Sequence, residues 1–121
     1  MKYMALLSKI FISFSIILLL SLVMLKISYA SYNGNVVVTY KNNVKYYNSI
    51  SDAINNAYPN STIYVNPGIY YEHIVINKSL TIIGIDFPVI DGNHSGSIIT
   101  IENTSYVRIE GLKIINSGRF Y

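Results

Sequence analysis

The sequence predicts an all-β chain wound into stacked coils, and three observations carry the prediction. Residues 62–84, TIYVNPGIYYEHIVINKSLTIIG, place three short β-branched runs (Ile63 to Val65, Ile74 to Ile76, Leu80 to Ile83) within 23 residues, separated by Asn-Pro-Gly and Asn-Lys-Ser turn signals. No helical period fits this stretch, and strands so short with turns so close do not suit an ordinary sandwich. The passage IVINKSLTIIG at residues 74–84 then aligns with ITIENTSYVRIEG at residues 99–111, setting Ile76 over Ile101, Leu80 over Val107, Ile82 over Ile109 and Gly84 over Gly111. Self-similarity at this offset of 25 to 27 residues marks repeats that bury their apolar faces only against the next repeat. Within each run, finally, apolar residues alternate, so Ile63, Val65, Ile74, Ile76, Leu80, Ile82, Ile99, Ile101, Val107, Ile109, Leu112 and Ile114 are expected inside and Tyr64, Val75, Thr81, Thr100, Arg108 and Lys113 outside.

The chain has 121 residues, enough for one modest domain. Lys2 and Lys9 precede an uninterrupted low-polarity run from Ile10 to Leu25, and Ser28-Tyr29-Ala30 offers small residues at the two positions a signal peptidase reads. Residues 1–30 are therefore expected to be a secretory signal-peptide helix cleaved after Ala30, with an uncleaved membrane anchor as the rival. The run of 16 falls short of the roughly 18–20 apolar residues that span a bilayer. On either reading the remainder is extracytoplasmic: secreted, periplasmic or at the cell surface.

Removing this segment changes the charge argument. Lys2, Lys9 and Lys26 account for the whole formal charge of +3, and the six cations from Lys41 to Arg119 balance six carboxylates. A neutral domain without a basic patch offers nothing for nucleic acid to bind. The sequence has no cysteine, so packing and hydrogen-bonded ladders must supply the stability.

Residues 31–61 form the first part of the expected domain. A strand from Val36 to Tyr40, an Asn42-Asn43 turn and a strand from Val44 to Tyr47 read as an opening hairpin. Ile50, Ala53, Ile54 and Ala57 then fall at helical spacing, with Ser49 or Ser51 available as cap, Asp52 in the first turn and Pro59 beyond the end. A short amphipathic helix here is expected to cover the open end of the first coil. Residues 62–121 are expected to be the coils.

The run AINNAYPNSTIYVNPGIYYEHIVINKSLTIIGIDFPVIDG, and especially Gly68-Ile69-Tyr70-Tyr71-Glu72 as a G-x-Y-x-E element, resembles the first coils of the pectin-lyase-like superfamily. It is similar both to pectinesterase N-termini and to NosD-type or surface-layer repeat proteins, over roughly residues 50–118. The resemblance implies a right-handed, single-stranded parallel β-helix, truncated to about two to three coils, behind the hairpin and capping helix. It leaves the activity open, because enzymes and non-enzymes share these coils.

Several residues could carry chemistry. Glu72 and His73 pair an acid with an imidazole, but neighbours on a strand face opposite ways, and the resemblance places the Glu in the structural first coil. Asp86 and Asp91, with Asn93 and His94, put oxygen ligands in a loop of the kind that holds Ca²⁺, against a plain Asp-Gly turn. Two histidines without Cys or paired Met give little for copper. Arg108 and Glu110 share one strand face and read as a solvated ion pair. Tyr64, Tyr70 and Tyr71 are candidate platforms for sugar rings, and equally good β-formers. Asn60, Asn77, Asn93 and Asn103 begin N-x-S/T triplets near predicted turns and are candidate glycosylation acceptors. The pectinesterase resemblance places its catalytic aspartates, arginine and glutamines in later coils, so no catalytic residue is assigned.

The sequence thus points to an exported repeat module with a surface-structural or carbohydrate-binding role, a non-catalytic fragment of a longer protein. Its expected partner is a cell-surface or plant-type polysaccharide, with end-to-end stacking or further C-terminal coils closing the open end. The alternatives are the N-terminal part of a polysaccharide lyase or pectinesterase, and a NosD-like copper-enzyme maturation protein.

Overall fold

The computed structural model describes residue 9, residues 13–20 and residues 35–119. The chain divides into two compact units, residues 1–32 and 33–121. In the first, residues 13–20 are helical (α1) and their side chains are exposed. Among the described residues no helix is long and apolar enough to cross a membrane. The Ser28-Tyr29-Ala30 cleavage motif lies outside the described residues.

The second unit opens with β1 (Val36–Tyr40) and β2 (Asn43–Tyr47), an antiparallel hairpin. Its two-residue turn is Lys41-Asn42, one position earlier than the expected Asn42-Asn43. Lys41 takes the positive φ of 52° that such a turn demands, and its ammonium lies 5.3 Å from the Tyr40 ring centroid. Helix α2 (Ile50–Asn56) follows, then β3 (Ser61–Val65), β4 (Ile69–Tyr70), β5 (Ile74–Ile76), β6 (Leu80–Gly84), β7 (Val89–Asp91), β8 (Ile99–Ile101), β9 (Val107–Glu110) and β10 (Lys113–Ile115).

These strands correct the expected fold class. The chain is mixed α/β rather than all-β, and its strands form three separate sheets rather than one single-stranded right-handed parallel β-helix. The five-stranded sheet runs β2-β1-β3-β6-β9, with β1 antiparallel to both of its neighbours; the others run β10-β7-β4 and β5-β8. Two physical causes are visible. The apolar face of α2, with Ile50, Ala53 and Ile54 buried, is part of the same core as the strands. Turn residues with positive φ, at Asn60, Asp86, Phe87, Asn93, His94, Asn103 and Tyr106, lie between strands of only two to five residues, so no continuous sheet follows the chain around.

Parallel pairing joins strands three apart in sequence: β3 to β6 to β9, β4 to β7 to β10, and β5 to β8. The chain therefore visits each sheet in turn. The register sets Ile76 against Ile101, Leu80 against Val107 and Ile82 against Ile109, the same pairs as the internal sequence alignment. Gly84, the last residue of β6, and Gly111, just after β9, stand together. A Cβ on Gly84 would run into the Gly111 carbonyl oxygen, and one on Gly111, whose φ is +72°, would lie 2.6 Å from the Gly84 oxygen.

Strand alternation decides the core. Ile63, Val65, Ile74, Ile76, Leu80 and Ile82 are buried as expected, joined by Val36, Val38, Ile90 and Ile98. Ile101 and Ile114, also expected inside, are 50 % and 48 % exposed. They occupy the edge strands β8 and β10, whereas β5, the other edge of the β5-β8 sheet, has α2 packed against it.

Candidate functional site

The turn after β3 is built to hold its own shape. Tyr70 points inward from β4 and its hydroxyl lies 2.7 Å from the Asn66 carbonyl and 3.2 Å from that of Asn35. A phenol has one hydrogen, so it donates mainly to Asn66 and ties the Asn-Pro-Gly turn down. Burial pushes the Tyr70 phenol above its usual range, and the Glu72 carboxylate adds to the effect. This side chain is core, with 6 % of its surface exposed, and offers no face to a sugar.

Glu72 is equally structural. Its two carboxylate oxygens accept from the backbone amides of Ile50 and Ser51, each at 2.9 Å. The next amide, of Asp52, donates to the Ser49 hydroxyl at 3.0 Å. Three amides at the N-terminus of α2 that lack carbonyl partners within the helix are thereby satisfied, with a negative charge where the helix dipole favours one. At the other end the Lys78 ammonium donates to the carbonyls of Ala57 at 3.1 Å and Asn55 at 3.3 Å. Glu72 and Lys78 flank β5, so one short stretch of chain holds both ends of the helix.

Because neighbours on an extended chain face opposite ways, Tyr71 and His73 turn away from Glu72. They meet the turn that follows β7. Tyr70 pairs with Ile90 in the register of β4 and β7, which carries Tyr71 to the level of Asp91. Tyr71, His73, Asp91, Asn93 and Ser95 line one open depression of about 360 Å³. Tyr71 is 70 % exposed, so its ring is available to a ligand.

The polar groups around that ring are fixed. Asp91 Oδ1 accepts the Asn93 backbone amide at 2.8 Å, and Asn116 Nδ2 lies 3.0 Å from both carboxylate oxygens. These contacts leave lone-pair capacity on Oδ2 for a further donor. His73 Nδ1 lies 2.8 Å from the Ser97 carbonyl oxygen, which can only accept, so Nδ1 carries a hydrogen in that contact. Nε2 stands 3.2 Å from Ser95 Oγ, which is also 3.2 Å from the Gly92 carbonyl. The imidazole is thus pinned to the turn that follows β7, 22 to 24 residues further along the chain. A second recess, beside Tyr40 and Tyr58, has a volume of about 20 Å³, room for little more than one water.

The remaining sequence candidates scatter. Tyr64 lies on β3 in the five-stranded sheet, apart from Tyr71, so the three tyrosines do not form one platform. Asp86 is exposed at a turn with φ 52°, and among the described residues no three His, Cys, Asp or Glu side chains group as a metal site would require. Arg108 and Glu110 form an exposed ion pair at 2.7 Å on one strand, worth about 0–1 kcal/mol. Sequence reasoning did not group His73, Asn93 and Ser95 with Tyr71. The pairing of a two-residue strand with a partner 20 residues on carries no periodic signal, and that pairing is what assembles the site.

Comparisons with family models, with curated proteins and with solved structures return no match.

Proposed function

We propose that the chain is an exported module that binds carbohydrate through the depression at Tyr71, without acting on it chemically. The observation that carries the reading is the exposed Tyr71 ring standing among Asp91, Asn93, His73 and Ser95, whose positions are set by hydrogen bonds. A sugar presents an apolar C–H face and a rim of hydroxyls. An exposed aromatic ring beside oriented acceptors and donors matches both, because the ring takes the face and the polar groups fix the orientation. Prior hydrogen bonding of Asp91 and His73 lowers the ordering cost on binding.

Titration calorimetry against a panel of neutral and acidic oligosaccharides tests this reading. At least one glycan class should bind, and Tyr71→Ala should weaken that binding about tenfold or more, in line with the loss of an aromatic hot-spot contact. The same variant should leave the melting curve unchanged, since the ring is exposed. Absence of binding across the panel, or binding indifferent to Tyr71→Ala, would overturn the assignment.

A further inference from the structure

Four N-x-S/T triplets are spread along the sequence at Asn60, Asn77, Asn93 and Asn103, and the fold sorts them. Asn60 immediately precedes β3, Asn77 lies in the turn from β5 to β6, and Asn103 lies in the turn from β8 to β9. Since β3, β6 and β9 are consecutive neighbours in one sheet, the three turns that feed them stack along one corner. Hydrogen bonds tie them together: the Asn60 amide donates to the Ser79 carbonyl at 2.7 Å, and the Ser79 hydroxyl donates to the Ser105 carbonyl at 2.7 Å. Asn93 alone lies elsewhere, in the turn after β7 that lines the depression.

We infer that this corner is a site of N-linked glycosylation, with Asn60, Asn77 and Asn103 as the acceptors. All three side chains are exposed. Asn60 and Asn103 sit at turns with φ of 67° and 50°, so their amides project from bends rather than from hydrogen-bonded ladders. Among the described residues no hydrogen bond engages any of these three side-chain amides, so attachment breaks no contact. The transfer requires a polyprenyl-diphosphate-linked oligosaccharide and the transferase of an export membrane. The amide nitrogen forms a bond to the anomeric carbon as the C–O bond to the diphosphate breaks; the amide gives up a proton to the transferase and the lipid diphosphate departs.

Neighbouring strands stand about 4.8 Å apart, narrower than a saccharide chain. One or two glycans per molecule, distributed over the three acceptors, are therefore expected rather than three at once. The corner would become a sugar-coated edge, while the depression around Asn93 stays open.

Glycopeptide mass spectrometry of the protein isolated from the cells that encode it tests the assignment. Saccharide mass increments are expected on peptides holding Asn60, Asn77 or Asn103, with the Asn93 peptide unmodified. The triple variant Asn60→Gly, Asn77→Gln, Asn103→Gly places glycine, which tolerates positive φ, at the two positive-φ positions and should remove the increments without lowering the melting temperature. Unmodified peptides at all three corner positions, increments confined to Asn93, or increments that survive the triple variant would each overturn it. Glycan binding at Tyr71 is measured separately and does not depend on the outcome at the corner.

Discussion

Glu72 is the side chain whose removal should be felt most for its size. Glu72→Ala leaves the Ile50 and Ser51 amides without their acceptor and removes the charge at the start of α2. A loss of about 1–3 kcal/mol is expected from the unpaired amides, read as a lower urea midpoint with unchanged slope. Tyr70 gives the pH counterpart. Its phenol is held above the ordinary value by burial and by Glu72, so above a pH of about 10 the folded state keeps a proton that the unfolded chain has released. The stability this contributes is complete below the unfolded value and is lost as pH rises through the folded one. Tyr70→Phe should flatten that alkaline decline, while costing about 0.5–1.5 kcal/mol at neutral pH for the lost bond to Asn66. Equal alkaline slopes in the two proteins would remove Tyr70 from the account.

At the scale of elements, α2 shows how a seven-residue helix persists, being far shorter than the dozen or so residues an isolated helix needs. Its buried face of Ile50, Ala53 and Ile54 supplies the packing, Ser49 and Glu72 satisfy its amides, and Lys78 satisfies its last carbonyls. The apolar spacing and the Ser cap are legible in the sequence. The two clamps are not, because Glu72 and Lys78 lie more than 20 residues along the chain from the groups they hold. Gly84 and Gly111 make a similar case. The repeat alignment pairs them, but only the structure places each Cβ position against the other's carbonyl oxygen. Gly111→Ala adds the strain of a positive φ to that contact and should destabilise by about 1–3 kcal/mol, measured by thermal or urea unfolding. A neutral result would mean that the two strands can separate locally at no cost.

For the whole molecule, burial follows position in the order of stacked strands rather than residue type. Ile76 and Ile101 are partners in one register, yet Ile76 is fully buried and Ile101 is 50 % exposed. Ile76→Ala should cost about 2–5 kcal/mol, as core truncations do, and Ile101→Ala less than about 1 kcal/mol. Unfolding midpoints of the two variants compare these directly. Equal costs would mean that Ile101 is covered in solution. The same order of strands gathers the site: Tyr71 and His73 follow β4, Asp91, Asn93 and Ser95 lie at the end of β7 and beyond it, and Asn116 follows β10, the three strands of one sheet.

By itself the sequence determined the hairpin, the extent of α2, the alternation that buries Ile63 to Ile82, and the register between residues 74–84 and 99–111. Each of these is local or periodic, so a few neighbouring residues are enough to specify it. The tertiary structure decided the division into three sheets, the inclusion of α2 in a mixed core, the clamping role of Glu72, and the meeting of Tyr71 with Asp91. Those outcomes depend on turn residues with positive φ that redirect the chain, and a change of direction at one turn displaces every later side chain. Tyr70 and Tyr71 are chemically alike and adjacent, yet one became core and the other a surface ring, because Tyr70 closes β4 facing the core and the residue after it leaves on the exposed side.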